Sequence, residues 1–327
     1  MAQDAASSGN ETWRGDVDRR FAARGWTLGR RMAFNERRQC AYFDAVDAAG
    51  HHHWLYVGPW REWERVQQLW AHLMLIDEAL SQLGSIFRAW GSLLPRMQWG
   101  GGEGGYWLVA EDRLDAPYVA PNRGRRRVSF PNMVQLTVFL RLLELGAPEW
   151  ATERAAATSG DSLMAAARSL VDCVEDRVPD AARSTRWAAF YLSHARSLAH
   201  ARSLRYTLSL GADVTRCFAL DLTGALRIVR PFFVYETLQG NDLSHCLYEF
   251  STYDRQDRNY LINLYFNFDV PSYFFTRLAY HHMTCVLQAL LRSRPGSDAE
   301  AHALDRWAQL RDEYEQFRAP VPKWFDA

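Results

Sequence analysis

Between Trp60 and Trp90 the apolar residues Trp63, Val66, Trp70, Leu73, Ile76, Leu80, Leu83 and Phe87 recur at steps of three and four. That spacing places them on one stripe of an amphipathic helix. Gly100 to Gly105 then breaks the pattern. Beyond residue 129 the start and stop signals repeat at helix length. Pro131 suits a first helical turn, Gly146 a position just past a helix end, and Pro148 follows it. Further helices are predicted over residues 160–178, 181–209, 214–239, 241–251, 258–268, 272–293 and 298–317, the last opened by a Ser297/Glu300 capping box. Upstream, residues 1–12 read as a disordered start, and the alternation from Gln39 to Val57 around Ala-Gly-His as a short β-hairpin. The sum predicts an all-α, mainly helical protein. An N-terminal segment with the hairpin occupies residues 1–58, and a helical domain residues 59–327.

With 327 residues, 48% hydrophobic and 13% aromatic, the chain can bury a large core. Its formal charge of zero gives no long-range field for nucleic acid or a membrane surface. Cys40, Cys173, Cys217, Cys246 and Cys285 are odd in number and widely spaced, which suits a reducing, cytoplasmic setting better than a disulfide framework. Met1 to Trp13 lacks the apolar segment of a secretory signal, and no apolar run approaches the ~20 residues that span a bilayer. Lys323 is the only lysine. Its isolation argues against a phosphate-binding loop of the Walker type, a kinase-type lysine and a Schiff-base enzyme. Phosphate recognition would fall to arginine, whose planar fork suits phosphate oxygens.

Two oxygen-rich clusters carry the chemistry. Asn241, His245 and Glu249, spaced i, i+4 and i+8, share one helical face, and Glu111, Asp112 and Asp115 lie upstream. Converging carboxylate and amide oxygens can hold Mg²⁺, which suits a phosphate-bearing substrate. Asp77-Glu78 is a second candidate for the upstream role. Gly100, Gly102 and Gly105 satisfy GxGxxG, yet a loop or hairpin tip is the better reading because no strand clearly precedes them. His51-His52-His53 reads as an exposed turn, and His281-His282 as helix packing.

Tyr106 to Tyr118 resembles the aspartate-rich segment of trichodiene-synthase-like class I terpene synthases, and Asn241 to Phe250 resembles their second metal motif. Glu111 stands where the first motif has Asp, His245 where the second has a hydroxyl, and Tyr248 where a Lys commonly precedes the final Glu. The resemblance implies a helical bundle that ionises and cyclises a prenyl diphosphate, such as farnesyl diphosphate, as a lyase of isoprenoid biosynthesis. Three Mg²⁺ ions would be held by Glu111, Asp112, Asp115, Asn241, His245 and Glu249. Arg202 and Arg205, with Arg196 nearby, match the diphosphate-contacting region. Arg311 and Tyr314 stand in for a late Arg-Tyr pair, and Trp107 and Phe232 are among the rings that could face an allylic cation. The implied assembly is a monomer or homodimer without nucleic acid or a membrane span. A non-catalytic interaction or regulatory protein with a similar helical core is the alternative.

Overall fold

The computed structural model describes residues 15–36, 38–87, 91–102, 104–118, 128–145, 172, 177–178, 206–210, 214–232, 235–238, 240–249, 254–316 and 321–325. Strands β1 (Thr27–Asn35), β2 (Cys40–Val46), β3 (His52–Gly58), β4 (Met97–Gly102) and β5 (Gly105–Ala110) form one sheet in the order β1-β2-β3-β5-β4, every pairing antiparallel. This sheet corrects the all-α expectation. The hairpin anticipated near residues 39–57 is there as β2 and β3, paired from Ala41↔Val57 to Val46↔His52, but it is only two strands of five. β5 escaped notice because Tyr106 to Ala110 are all buried. A short continuous apolar run in a central strand has no alternation by which to distinguish it from a helix segment.

The sheet is covered on both faces, and its two-residue period sorts the side chains. Ala41, Phe43, Ala45, Leu55 and Val57 pack with Val17 and Phe21 of helix α1 (residues 15–22). Tyr42, Trp54 and Tyr56 point the other way, as alternation in a strand requires. On that side Tyr56 meets Phe232 at 4.9 Å between ring centroids, and Phe232 meets Trp70 at 5.7 Å. Trp70 belongs to helix α2 (Trp63–Phe87), inserted between β3 and β4. The glycine block forms β4 and its turn, with Gly102 opposite Gly105. A Cβ on Gly100 would fall inside the Trp107 indole, and one on Gly101 inside that of Trp60, so this strand leaves both faces to rings.

After helix α3 (Phe130–Leu145), strand β6 (Tyr206–Ser209) pairs with β9 (Tyr235–Leu238), and β7 (Phe218–Leu220) forms a hairpin with β8 (Leu226–Ile228). Within the helices predicted over 181–209 and 214–239, residues 206–209, 218–220, 226–228 and 235–238 are therefore corrected to strands, only 214–217 being a short 3-10 turn, while 181–205 lie outside the described residues. Asp221-Leu222-Thr223-Gly224 is the turn responsible: the Asp221 carboxylate accepts from the N–H groups of Thr223 and Ala225, and Gly224 has φ of 84°. Most of the helix predicted at 160–178 lies outside the described residues.

Helices α4 (Asn241–Glu249), α5 (Arg255–Phe266), α6 (Ser272–Arg292) and α7 (Asp298–Glu313) follow. Asp254 caps α5 by accepting from Asp257 N at 2.8 Å, and left-handed Asn267 ends it. Ser297 Oγ accepts from Glu300 N, the first half of the anticipated box, while the Glu300 carboxylate reaches one residue further back and accepts from Gly296 N. Ala279, Met283, Val286, Leu287 and Leu290 pack against Ala303, Trp307, Leu310 and Tyr314. The tail returns to α5: Trp324 O accepts from Arg255 Nε at 2.8 Å and Asn259 Nδ2 at 3.1 Å, with Arg258 over the indole at 4.9 Å. By contact the chain divides into two compact units, Met1–Phe139 with Leu210–Tyr235, and Leu140–Ser209 with Glu236–Ala327.

The clash at Gly100 yields a prediction. Gly100→Ala should lose about 1–3 kcal/mol, whereas Gly91→Ala, whose Cβ would meet nothing within 4 Å, should leave the melting temperature nearly unchanged. Paired thermal melts check it.

Candidate functional site

The first acidic cluster lies on the irregular segment that leaves β5. Glu111 and Asp115 are exposed, and Asp112 Oδ2 accepts from Arg96 N at 2.8 Å. Arg227 on β8 lies 3.9 Å from Asp112 Oδ1, pairs with Asp221 at 2.8 Å and donates to the Ser92 carbonyl. Asp77, the rival carboxylate, accepts from Leu93 N at 2.8 Å and from the Ser92 hydroxyl. Burial raises the Asp221 pKa, but the Thr223 hydroxyl, the Ala225 N–H and Arg227 outweigh it and hold the carboxyl below its usual range. These groups tie α2, the segment around Ser92 and the β7–β8 hairpin together within the first unit.

The second cluster does form helix α4, in the second unit. Asn241 Oδ1 accepts from Arg277 Nη2 at 2.7 Å, and Asp242 and Ser244 are buried. The His245 ring lies 3.7 Å, centroid to centroid, from that of His281, and His282 Nε2 is 3.4 Å from Ser244 O. Burial pushes His281 well below its ordinary pKa, helped by His245, His282 and Arg277. Burial, with Arg306 next, pushes His282 down to about 3. Glu249 is the last residue of α4. The two clusters belong to different units, and among the described residues no group of three or more His, Cys, Asp or Glu could hold a metal ion.

Trp107 is buried in the sheet, Tyr314 is buried with its hydroxyl 3.4 Å from Phe275 O, and Arg311 lies in the last turn of α7. Arg196, Arg202 and Arg205 lie outside the described residues. The three histidines at 51–53 do not form a free turn. His53 is buried, with Nδ1 3.0 Å from Ala110 O and Nε2 3.2 Å from Asp47 Oδ2, and His52 Nδ1 is 2.8 Å from Asp44.

Two groupings went unnoticed in the sequence. Where the β1–β2 turn meets the start of α2, Arg38 Nη1 donates to Glu62 Oε2 at 2.9 Å. Arg65 lies near enough that burial first, and then Arg38, disfavour its charge. Cys40, Tyr56 and Tyr106 adjoin them, the thiol raised chiefly by burial. The signal was the Arg37-Arg38 pair beside a predicted hairpin. The other grouping joins Glu144, Tyr265 and Gly240. Its signal was a lone acid near the end of a helix rich in apolar residues.

No family profile and no curated protein matches the chain. Solved structures do superpose on it over most of its length. An aminoglycoside phosphotransferase from Alicyclobacillus acidocaldarius matches with a TM-score of 0.49 and 10% identity over 89% of this chain and 90% of its own. A spectinomycin phosphotransferase in complex with ADP and spectinomycin gives 0.47 and 8% over 87% and 88%. A choline/ethanolamine kinase family protein from Mesorhizobium loti gives 0.45 and 14% over 88% and 89%. At such values the likeness does not fix an activity. The terpene-synthase resemblance is nonetheless corrected, together with the lyase activity and the prenyl diphosphate substrate it implied. Its first motif should sit on a helix of an all-α bundle, but here it follows a strand of a five-stranded antiparallel sheet. The helical interaction module named as its alternative shared that bundle and goes with it. No helix of the described residues is long and apolar enough to cross a membrane.

Asp47 offers a pH test. Burial raises its pKa, yet the His51 N–H, the imidazoles of His53 and His51 and the Ala49 N–H together hold it well below the usual carboxylate range. The resulting stability is present above the unfolded pKa of about 4 and is lost as pH falls further. Asp47→Ala should cost about 1–3 kcal/mol at pH 7. The gap from the parent chain should close in thermal melts taken at progressively lower pH.

Proposed function

We propose that the protein is a kinase-like phosphotransferase that binds a nucleotide through arginine and passes its terminal phosphoryl group to a small molecule. One observation carries the reading: Arg38 and Arg65 meet where the β1–β2 turn joins the start of α2, in an antiparallel sheet with a long helix inserted between β3 and β4. Phosphoryl transfer asks little covalent chemistry of a protein. It asks that phosphate oxygens be positioned and their charge balanced. Paired guanidinium groups, one in a strand turn and one on the helix beside it, suit that task, and Glu62, accepting from Arg38, orients one of them.

The chain departs from the protein-kinase pattern in a telling place. There, a β3 lysine pairs with a glutamate of the following helix. Here β3 (His52–Gly58) has no lysine, and rings fill the junction with α2 through Tyr56, Phe232 and Trp70. Arginine therefore carries the phosphate grip in this reading. A divalent cation would arrive on the nucleotide, since the described residues supply no three-ligand cluster for it.

The test uses the full chain with Mg²⁺-ATP or Mg²⁺-GTP. A rise in melting temperature is expected with at least one nucleotide, reduced in Arg38→Ala and Arg65→Met by at least tenfold in apparent affinity, about 1.4 kcal/mol. Phosphate transfer to a panel of amino alcohols and aminocyclitols is read separately. No stabilisation by either nucleotide would overturn the proposal, and binding without transfer would remove its catalytic half.

A further inference from the structure

Glu144, in the last turn of α3, has a side chain only 7% exposed. Its Oε1 accepts from Gly240 N at 2.7 Å, in the residue that leads into α4, and Tyr265 of α5 meets both groups, its hydroxyl 3.2 Å from the same N–H. One carboxyl thus joins three helices of the second unit. Its other oxygen, Oε2, is buried without a hydrogen bond and meets Arg141 Nη1, which also makes none, only as an ion pair at the long distance of 4.0 Å. The charged and titratable groups facing it are Arg141 from α3, Asp242 from α4 and Tyr265 from α5. From α6, the Arg277 guanidinium is engaged by Asn241.

We propose that Glu144 is a proton-operated latch that holds the α3–α4–α5 junction closed in acid and lets it loosen as pH approaches neutrality. The physical cause is a carboxylate that would be buried beside Asp242, with Arg141 just beyond hydrogen-bonding reach. Consistent with this, burial pushes the Glu144 pKa up to about 7 against the Tyr265 and Gly240 hydrogen bonds, Asp242 adding to the rise. Because the folded pKa lies above the unfolded one, near 4.5, the stability is fully present below the unfolded value and is lost as pH rises through the folded one. Opening the junction lets water solvate the charge, so the open form gains population over that interval and levels off above it. Gly240, at the left-handed φ of 82°, is the natural point of release.

Hydrogen exchange on the full chain tests this, with protection factors corrected for the intrinsic pH dependence of exchange. Between pH 5.5 and pH 7.5, protection at Gly240 and the first turn of α4 should fall by roughly tenfold or more. In Glu144→Gln it should stay constant. Tyr265→Phe, which removes a donor favouring the charged form, should move the midpoint to higher pH, and it serves if the glutamine variant does not fold. The proposal is overturned if protection in the parent chain does not change over this interval, if Glu144→Gln shows the same fall, or if Tyr265→Phe leaves the midpoint in place.

Discussion

The first unit depends on how Phe232 is wedged. Its N–H donates to the hydroxyl of buried Tyr42 at 3.0 Å, and its ring lies between Tyr56 of β3 and Trp70 of α2. Burial pushes the Tyr42 hydroxyl far above its ordinary pKa, against the bond from Phe232. One residue after the β7–β8 hairpin thereby fixes the sheet to the helix inserted in it. Tilted ring pairs at these separations add about 0.5–1.5 kcal/mol each beyond the area they bury.

Much of the second unit was legible in the sequence, for physical reasons. Helices α4 to α7 carry their own punctuation: Gly240 ahead of α4, Asp254 capping α5, Pro271 ahead of α6, and the Ser297/Glu300 box on α7. Those signals are local, so they survive without knowledge of the fold. The sheet was less legible because its decisive partners are distant. β5 is central only because β3 and β4 flank it, and a buried strand of six residues resembles a piece of helix until its neighbours are known. The Asp-Leu-Thr-Gly turn at 221–224 lies inside the helix predicted over 214–239, whose apolar spacing masks it.

The site was legible in smaller part. The Asn241 spacing correctly implied a helix, but spacing cannot say what a face meets. His245 meets His281, and Asn241 meets Arg277. Carboxylates at Asp77, Asp112 and Asp221, chemically suited to a cation, are occupied by backbone N–H groups, a hydroxyl and one guanidinium. The Arg38–Glu62–Arg65 grouping had only the Arg37-Arg38 pair to mark it, because it joins a turn to the start of a helix 24 residues away, and no short motif spans that distance.

The returning tail bears on how the second unit comes apart. The bond from Arg255 to the Trp324 carbonyl spans 69 residues and encloses α5, α6 and α7 in a single ring of chain. Closing so long a loop carries an entropic cost that one carbonyl and one indole cannot offset alone. The helices within the ring must pack for the ends to meet, and the ends in turn limit how far any one helix can detach. Mechanically the three helices behave as a belted block: they share one fate under load or heat, and a cut between α6 and α7 would leave its two halves joined through the buckle.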